Sequence, residues 1–134
     1  MKRTFVDSGV LIAAARGTDE VARRAMEVLD DPERSFVSSS LVRLEVLPKA
    51  LFHRKQAEAE FYQAFFAGVE TWVQAAEPLF TEALEEAARS GLSALDSLHV
   101  ASAARAQADE LVTTERAGKP LHRVSAVAVR TIHS

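Results

Sequence analysis

The chain has 134 residues, 16 Lys and Arg against 19 Asp and Glu, a net charge of −3 and no cysteine. That length is enough for one domain with its own core. The missing thiols exclude disulfides, thiolate zinc sites and cysteine nucleophiles. The mild acidity argues against a uniformly polyanion-binding surface, although basic residues gather locally around 23–24, 49–55 and 116–123.

Arg3 to Val6 reads as a short strand that stops at Asp7, and an apolar helical stretch over Val10–Ala15 follows. Strand, acid, helix is the layout of the carboxyl edge of an open α/β sheet, where ligands bind. Asp7 also suits a plain helix N-cap. The early acid leaves no secretory leader to expect, and no apolar run approaches the roughly 20 residues of a membrane span. A soluble, cytoplasmic protein is the expectation. Thr18 is placed to cap a helix running to Leu29, with Val21, Ala22, Ala25, Met26 and Leu29 on one stripe. Asp30-Asp31-Pro32-Glu33 is a turn, and Ser35–Ser38 a second strand.

Ser39 or Ser40 caps the next helix, Leu41–Leu47, which is apolar on nearly every side except Arg43 and Glu45 and is expected to be buried. Pro48 is expected to kink or end it. Glu45 has an ordinary partner within reach, Lys49 four residues on. A helix over Lys55–Val69 carries Phe61, Ala64, Phe65 and Val69 on one stripe, as core or dimer surface. Trp72-Val73 is a short extended piece, and Pro78 opens a helix that ends at Gly91. Ser93 caps the helix that follows, to about Ala108, with Asp96 in its first turn between Leu95 and Leu98. Glu110–Thr113 is a further strand ending at Thr114-Glu115, and alternation from Val124 to Ile132 suggests a last one. Alternating strands and helices predict an α/β fold: a parallel sheet of four or five strands flanked by helices, a three-layer sandwich in one domain over residues 1–134.

Asp7, Glu45, Asp96 and Glu115 all end strands or open helices, so a parallel sheet directs them to one edge. Carboxylates gathered there repel unless a cation holds them. An all-oxygen set selects Mg²⁺ or Mn²⁺ over zinc, and such ions serve phosphate chemistry.

The stretches Phe5-Val6-Asp7-Ser8-Gly9-Val10-Leu11-Ile12, Ser40 to Glu45, Leu95-Asp96-Ser97-Leu98-His99-Val100-Ala101 and Leu111-Val112-Thr113-Thr114-Glu115 together resemble the PIN domain. More narrowly, they resemble the single-domain VapC-type toxins. The resemblance covers essentially the whole chain. It implies a Mg²⁺- or Mn²⁺-dependent endoribonuclease with Asp7, Glu45, Asp96 and Glu115 as catalytic metal ligands. The family usually has Asp at the fourth place; Glu115 moves the carboxylate by about 1.5 Å, one bond length. Ser8, Thr113 and Thr114 are candidate hydroxyls behind the ligands. Arg43, Arg116, Lys119 and Arg123 are candidate contacts to the RNA backbone. Similar toxins form homodimers and pair with a VapB-like antitoxin. The alternative is a PIN-like binding or assembly module with little or no turnover. A haloacid-dehalogenase-type phosphatase needs a second Asp where this chain has Gly9.

Overall fold

The computed structural model describes residues 1–133. Five parallel strands, β1 (Lys2–Val6), β2 (Arg34–Ser39), β3 (Thr71–Val73), β4 (Glu110–Thr113) and β5 (Val129–Thr131), lie in the order β3-β2-β1-β4-β5. Six helices connect them: α1 (Ser8–Arg16), α2 (Glu20–Leu29), α3 (Ser40–Phe52), α4 (Gln56–Ala67), α5 (Glu77–Ser90) and α6 (Ala94–Arg105). The parallel α/β sandwich expected from the alternation is the fold observed.

Thr4, Phe5 and Val6 follow one another in β1 and all are fully buried. Successive strand residues face opposite ways, so both faces of the sheet are covered. The helices form two packed groups, α1 to α4 and α5 with α6. Val37, Leu111 and Val112 complete the centre of the core.

The strand order sets the position of the site. The chain runs outward from β1 through β2 to β3, then returns to place β4 on the other side of β1. The topological switch therefore lies between β1 and β4, and ligands bind at the carboxyl end of such a crevice. Val6 pairs with Val112 in register, and the Asp7 amide continues the ladder to the Val112 carbonyl at 3.1 Å. Asp7 and the Thr113–Glu115 segment thus leave the sheet side by side.

At the opposite end, Glu110 is buried and accepts from Thr4 Oγ1 at 2.7 Å and Arg34 Nε at 2.9 Å. Burial alone would push its carboxyl up; the Thr4 hydroxyl and the Arg34 guanidinium outweigh that and hold it below the usual carboxylate range. Glu110→Ala strands both donors, and the expected loss is about 3 kcal/mol of stability in chemical denaturation.

Local expectations fail in four places. Asp19, not Thr18, caps α2, its side chain accepting from the Ala22 amide at 3.0 Å. A carboxylate oxygen at the cap suits the positive helix end better than a hydroxyl. Pro48 does not end α3, which continues to Phe52. Pro48 and Leu44 lie on the solvent side, so water can serve the carbonyl that the missing N–H leaves free. For the same reason α3 is not buried all round: Leu44 is 69% exposed and Phe52 81%. The last strand, expected from Val124 to Ile132, reduces to β5, and residues 124–128 before it form irregular chain with bends after the 3₁₀ turn at Pro120–Arg123. Of the α4 aromatics, Tyr62 and Phe66 are buried, while Phe61 and Phe65 pack partly exposed against the core.

Candidate functional site

Asp7 caps α1: Oδ1 accepts from the Val10 amide at 3.3 Å. Its other oxygen accepts from Thr113 Oγ1 at 2.5 Å, across the β1–β4 crevice. The same Thr113 oxygen accepts from the Glu115 amide at 3.0 Å. One buried hydroxyl therefore ties the first acid to the backbone of the last. Despite these bonds the Asp7 carboxyl is pushed up to about 6, because burial strips its water and the nearby Asp96 charge adds to the effect. Among the described residues no basic side chain forms an ion pair with it.

Gly9 is required by this packing. A methyl at its Cα would collide with Thr114 Oγ1 and press on Asp7 Oδ1 at 3.4 Å. Thr114 therefore seats on the first turn of α1. Gly9→Ala is expected to destabilise the fold by about 1–2 kcal/mol, the clash outweighing the better helix propensity of alanine. Adding Thr114→Ala should recover most of the loss, a coupling readable in a double-mutant cycle.

Glu45 reaches the site from α3. The ordinary ion pair with Lys49 that the spacing allows is not formed. Glu45 Oε1 instead accepts from the Ser8 hydroxyl and from His99 Nε2, the latter at 2.7 Å. Burial tends to raise the Glu45 carboxyl, but the bonds from His99 and Ser8 win and hold it low. A carboxylate only accepts, so the His99 proton is on Nε2. His99 is buried, its ring lies 5.5 Å from that of Phe5, and Nδ1 has no partner among the described residues. The sequence reading missed His99 as part of the site. The signal was present: it stands three residues after Asp96, on the same face of a helix otherwise made of small and apolar residues.

Asp96 stands in the first turn of α6. Ser93 Oγ accepts from its amide at 3.3 Å, one half of a capping box. Its carboxylate has no hydrogen bond or ion pair among the described residues, and it lies near enough to Asp7 to raise that acid. Glu115 is half-buried and is fixed through its backbone, its amide on Thr113 and its carbonyl accepting from His122 Nε2 at 2.9 Å. Asp7, Asp96 and the Ser8–Glu45–His99 chain thus meet at the crevice, with the backbone of Glu115 beside them. Among the described residues no three carboxylate or imidazole groups, as placed, form a set that could hold a metal ion.

The candidate RNA contacts differ in setting. Arg43 stacks over Trp72 at 4.4 Å and Phe66 at 5.4 Å. Arg116, Lys119 and Arg123 are exposed on the segment after β4.

The PIN domain family profile matches residues 4–125. No curated protein sequence matches the chain. Among solved structures, a toxin–antitoxin complex from Klebsiella pneumoniae has a TM-score of 0.74 at 17% identity, covering 97% of this chain and 98% of that one. VapBC2 from Rickettsia felis, bound to a DNA fragment from its promoter, scores 0.71 at 15% identity, covering 96% and 98%. VapC20 from Mycobacterium tuberculosis, a sarcin-ricin loop cleaving toxin, scores 0.62 at 18% identity, covering 81% and 86%. At these identities the structures attest the shared fold, while the profile spans nearly the whole chain: the protein belongs to the PIN-domain family.

Proposed function

We propose that the protein is a Mg²⁺- or Mn²⁺-dependent endoribonuclease and the toxin of a VapBC-type pair, acting in the cytoplasm. The observation that carries this reading is the setting of Asp7 at the switch point of a PIN-family sheet: Thr113 holds it across the β1–β4 crevice, Asp96 stands near, and neither acid has an ion pair among the described residues. Mutual repulsion holds such groups apart, and a cation is what would draw them together. The donor chemistry fits a hard divalent ion, since every candidate ligand is a carboxylate oxygen. Asp7 and Asp96 would hold it, Glu45 would orient the attacking water and Glu115 would complete the outer shell, although the side chains as placed among the described residues do not yet form a ligand set. When bound, it would neutralise phosphate charge and make a water more acidic.

The chain's own groups supply the rest. Ser8 and His99 occupy one oxygen of Glu45, which leaves Oε2 to orient a water toward the phosphorus. Thr113 holds Asp7 so that its cap and its ligand face stay in one orientation. Arg116, Lys119 and Arg123, exposed after β4, would meet the phosphate backbone. In-line attack by the water would leave a 5′-phosphate and a 3′-hydroxyl. Unstacked, single-stranded RNA is the expected substrate, since its bases can be reached.

The apolar groove between α5 and α6, about 560 Å³ and lined by Phe80, Leu84 and Leu98, supports a homodimer contact. The exposed Leu44, Leu51 and Phe52 on α3 support a VapB-like partner. Expressing the wild type and Asp96→Ala in a bacterial host tests the toxin reading: growth should stop only with the wild type. Equal growth with intact RNA in both would reject it and favour a module without turnover.

A further inference from the structure

A basic cavity lies further along α3 than Glu45. It has a volume of about 840 Å³ and lies where the end of α1, the end of α3 and the start of α4 meet. Lys49, His53 and Lys55 line it, and none of them forms an ion pair among the described residues. Arg16 and Glu58, also in the wall, pair with each other at 3.0 Å and leave the lysines to set its charge.

The cavity continues the site along α3. Lys49 is four residues beyond Glu45 on the same helix face, and His53, eight residues beyond, is the residue that closes the helix end. At 1.5 Å rise per residue they stand about 6 Å and about 12 Å further along the axis. The end of the helix adds a second observation. The Arg54 amide bonds to the Leu51 carbonyl at 3.1 Å and the Lys55 amide to Ala50 at 2.8 Å, a Schellman closure. The residue at its left-handed position, φ 55°, is Arg54, where glycine is the unstrained choice. A strained backbone at Arg54 turns the chain so that its two basic neighbours, His53 and Lys55, both line the cavity. Beside them Phe52 is 81% exposed, and its ring stands edge-on to His53 at 5.0 Å. Unpaired cations with an exposed aromatic ring against one of the lining residues are the equipment of a single-strand track.

We propose that this cavity is a second RNA subsite, which takes the phosphates flanking the one at the acid centre, with Phe52 as a stacking face for a base. This rests on the ribonuclease reading and names where its substrate lies; an acidic protein segment is the competing occupant.

Binding of a fluorescein-labelled oligouridine 12-mer by the full-length protein, followed by anisotropy in EDTA, tests it without turnover. Lys49→Gln/Lys55→Gln should weaken binding at least tenfold and flatten the log–log salt slope by about 1.4, two single-strand phosphates. Arg105→Gln, which removes an exposed cation on α6, should change affinity less than twofold. Arg54→Gly should raise the melting temperature yet weaken the 12-mer, a combination that a purely structural Arg54 would not give. Wild-type affinity in the double variant, or no binding by the wild type, overturns the proposal. So does loss of an oligoglutamate peptide with the 12-mer unaffected, which would assign the cavity to a protein. Absence of cleavage with every divalent ion would sink the nuclease reading and leave this binding result standing. Cleavage together with an unaffected double variant would sink the subsite alone.

Discussion

Asp7→Asn is expected to abolish metal-dependent RNA cleavage and, at pH 8, to make the protein more stable. The two effects share one cause. Burial and the Asp96 charge raise the Asp7 carboxyl from 3.8 to about 6, so the folded state is disfavoured when that group ionises. The folded state binds the proton more tightly than the unfolded one between those values. Stability from this group is therefore full below about pH 4, falls as pH rises, and is lost above about pH 6. Asparagine carries no charge to desolvate; its amide oxygen can still cap α1, and its Nδ2 can donate to Thr113 Oγ1 once that hydroxyl turns away. Discounted for partial exposure, the gain at pH 8 is about 1–2 kcal/mol, and it should vanish near pH 4. Thermal melts of both proteins across that range check the sign. A functional acid held at the expense of stability is the trade expected where a site is built for a ligand.

His99→Leu is expected to lower cleavage by about 10- to 100-fold while leaving the fold assembled. His99 does not touch substrate in this account; it positions Glu45. Loss of the Nε2 donor frees the Glu45 carboxylate to rotate about the Ser8 contact, so the misplacement should show in the rate and in Mn²⁺ affinity. His99→Gln keeps an N–H on a shorter arm and should recover part of the rate. A purely structural His99 would instead lower the melting temperature in both variants and leave the cleavage rate of the folded fraction unchanged.

The sheet was legible because its signals are local and repeated. The apolar run ending at Val6 is followed by an acid and a helix, and the run of Leu111 and Val112 is preceded by a helix; parallel order follows from that alternation. Asp7 and Asp96 were legible for the same reason, as acids where a strand or cap meets an apolar helix. The partner of Glu45 was not. Lys49 stands at the right sequence spacing, but Ser8 and His99 come from two other helices, and only tertiary packing brings them together. Pro48 does not end the helix because its cost depends on which side of the helix it lies, and solvent accommodates it. Asp19 displaced Thr18 as a cap one residue on, a choice that the alternating pattern does not resolve. The strain at Arg54 is invisible in sequence, since φ 55° is set by how α3 must turn into α4.

Cleavage of a long unstructured RNA with Mn²⁺, with the ends mapped, tests the account most directly when wild type and Asp96→Ala are compared. The account predicts 5′-phosphate and 3′-hydroxyl ends from the wild type and intact RNA from the variant, both proteins melting as folded domains. Equal cutting by the two, or intact RNA with the wild type in both Mg²⁺ and Mn²⁺, would contradict it.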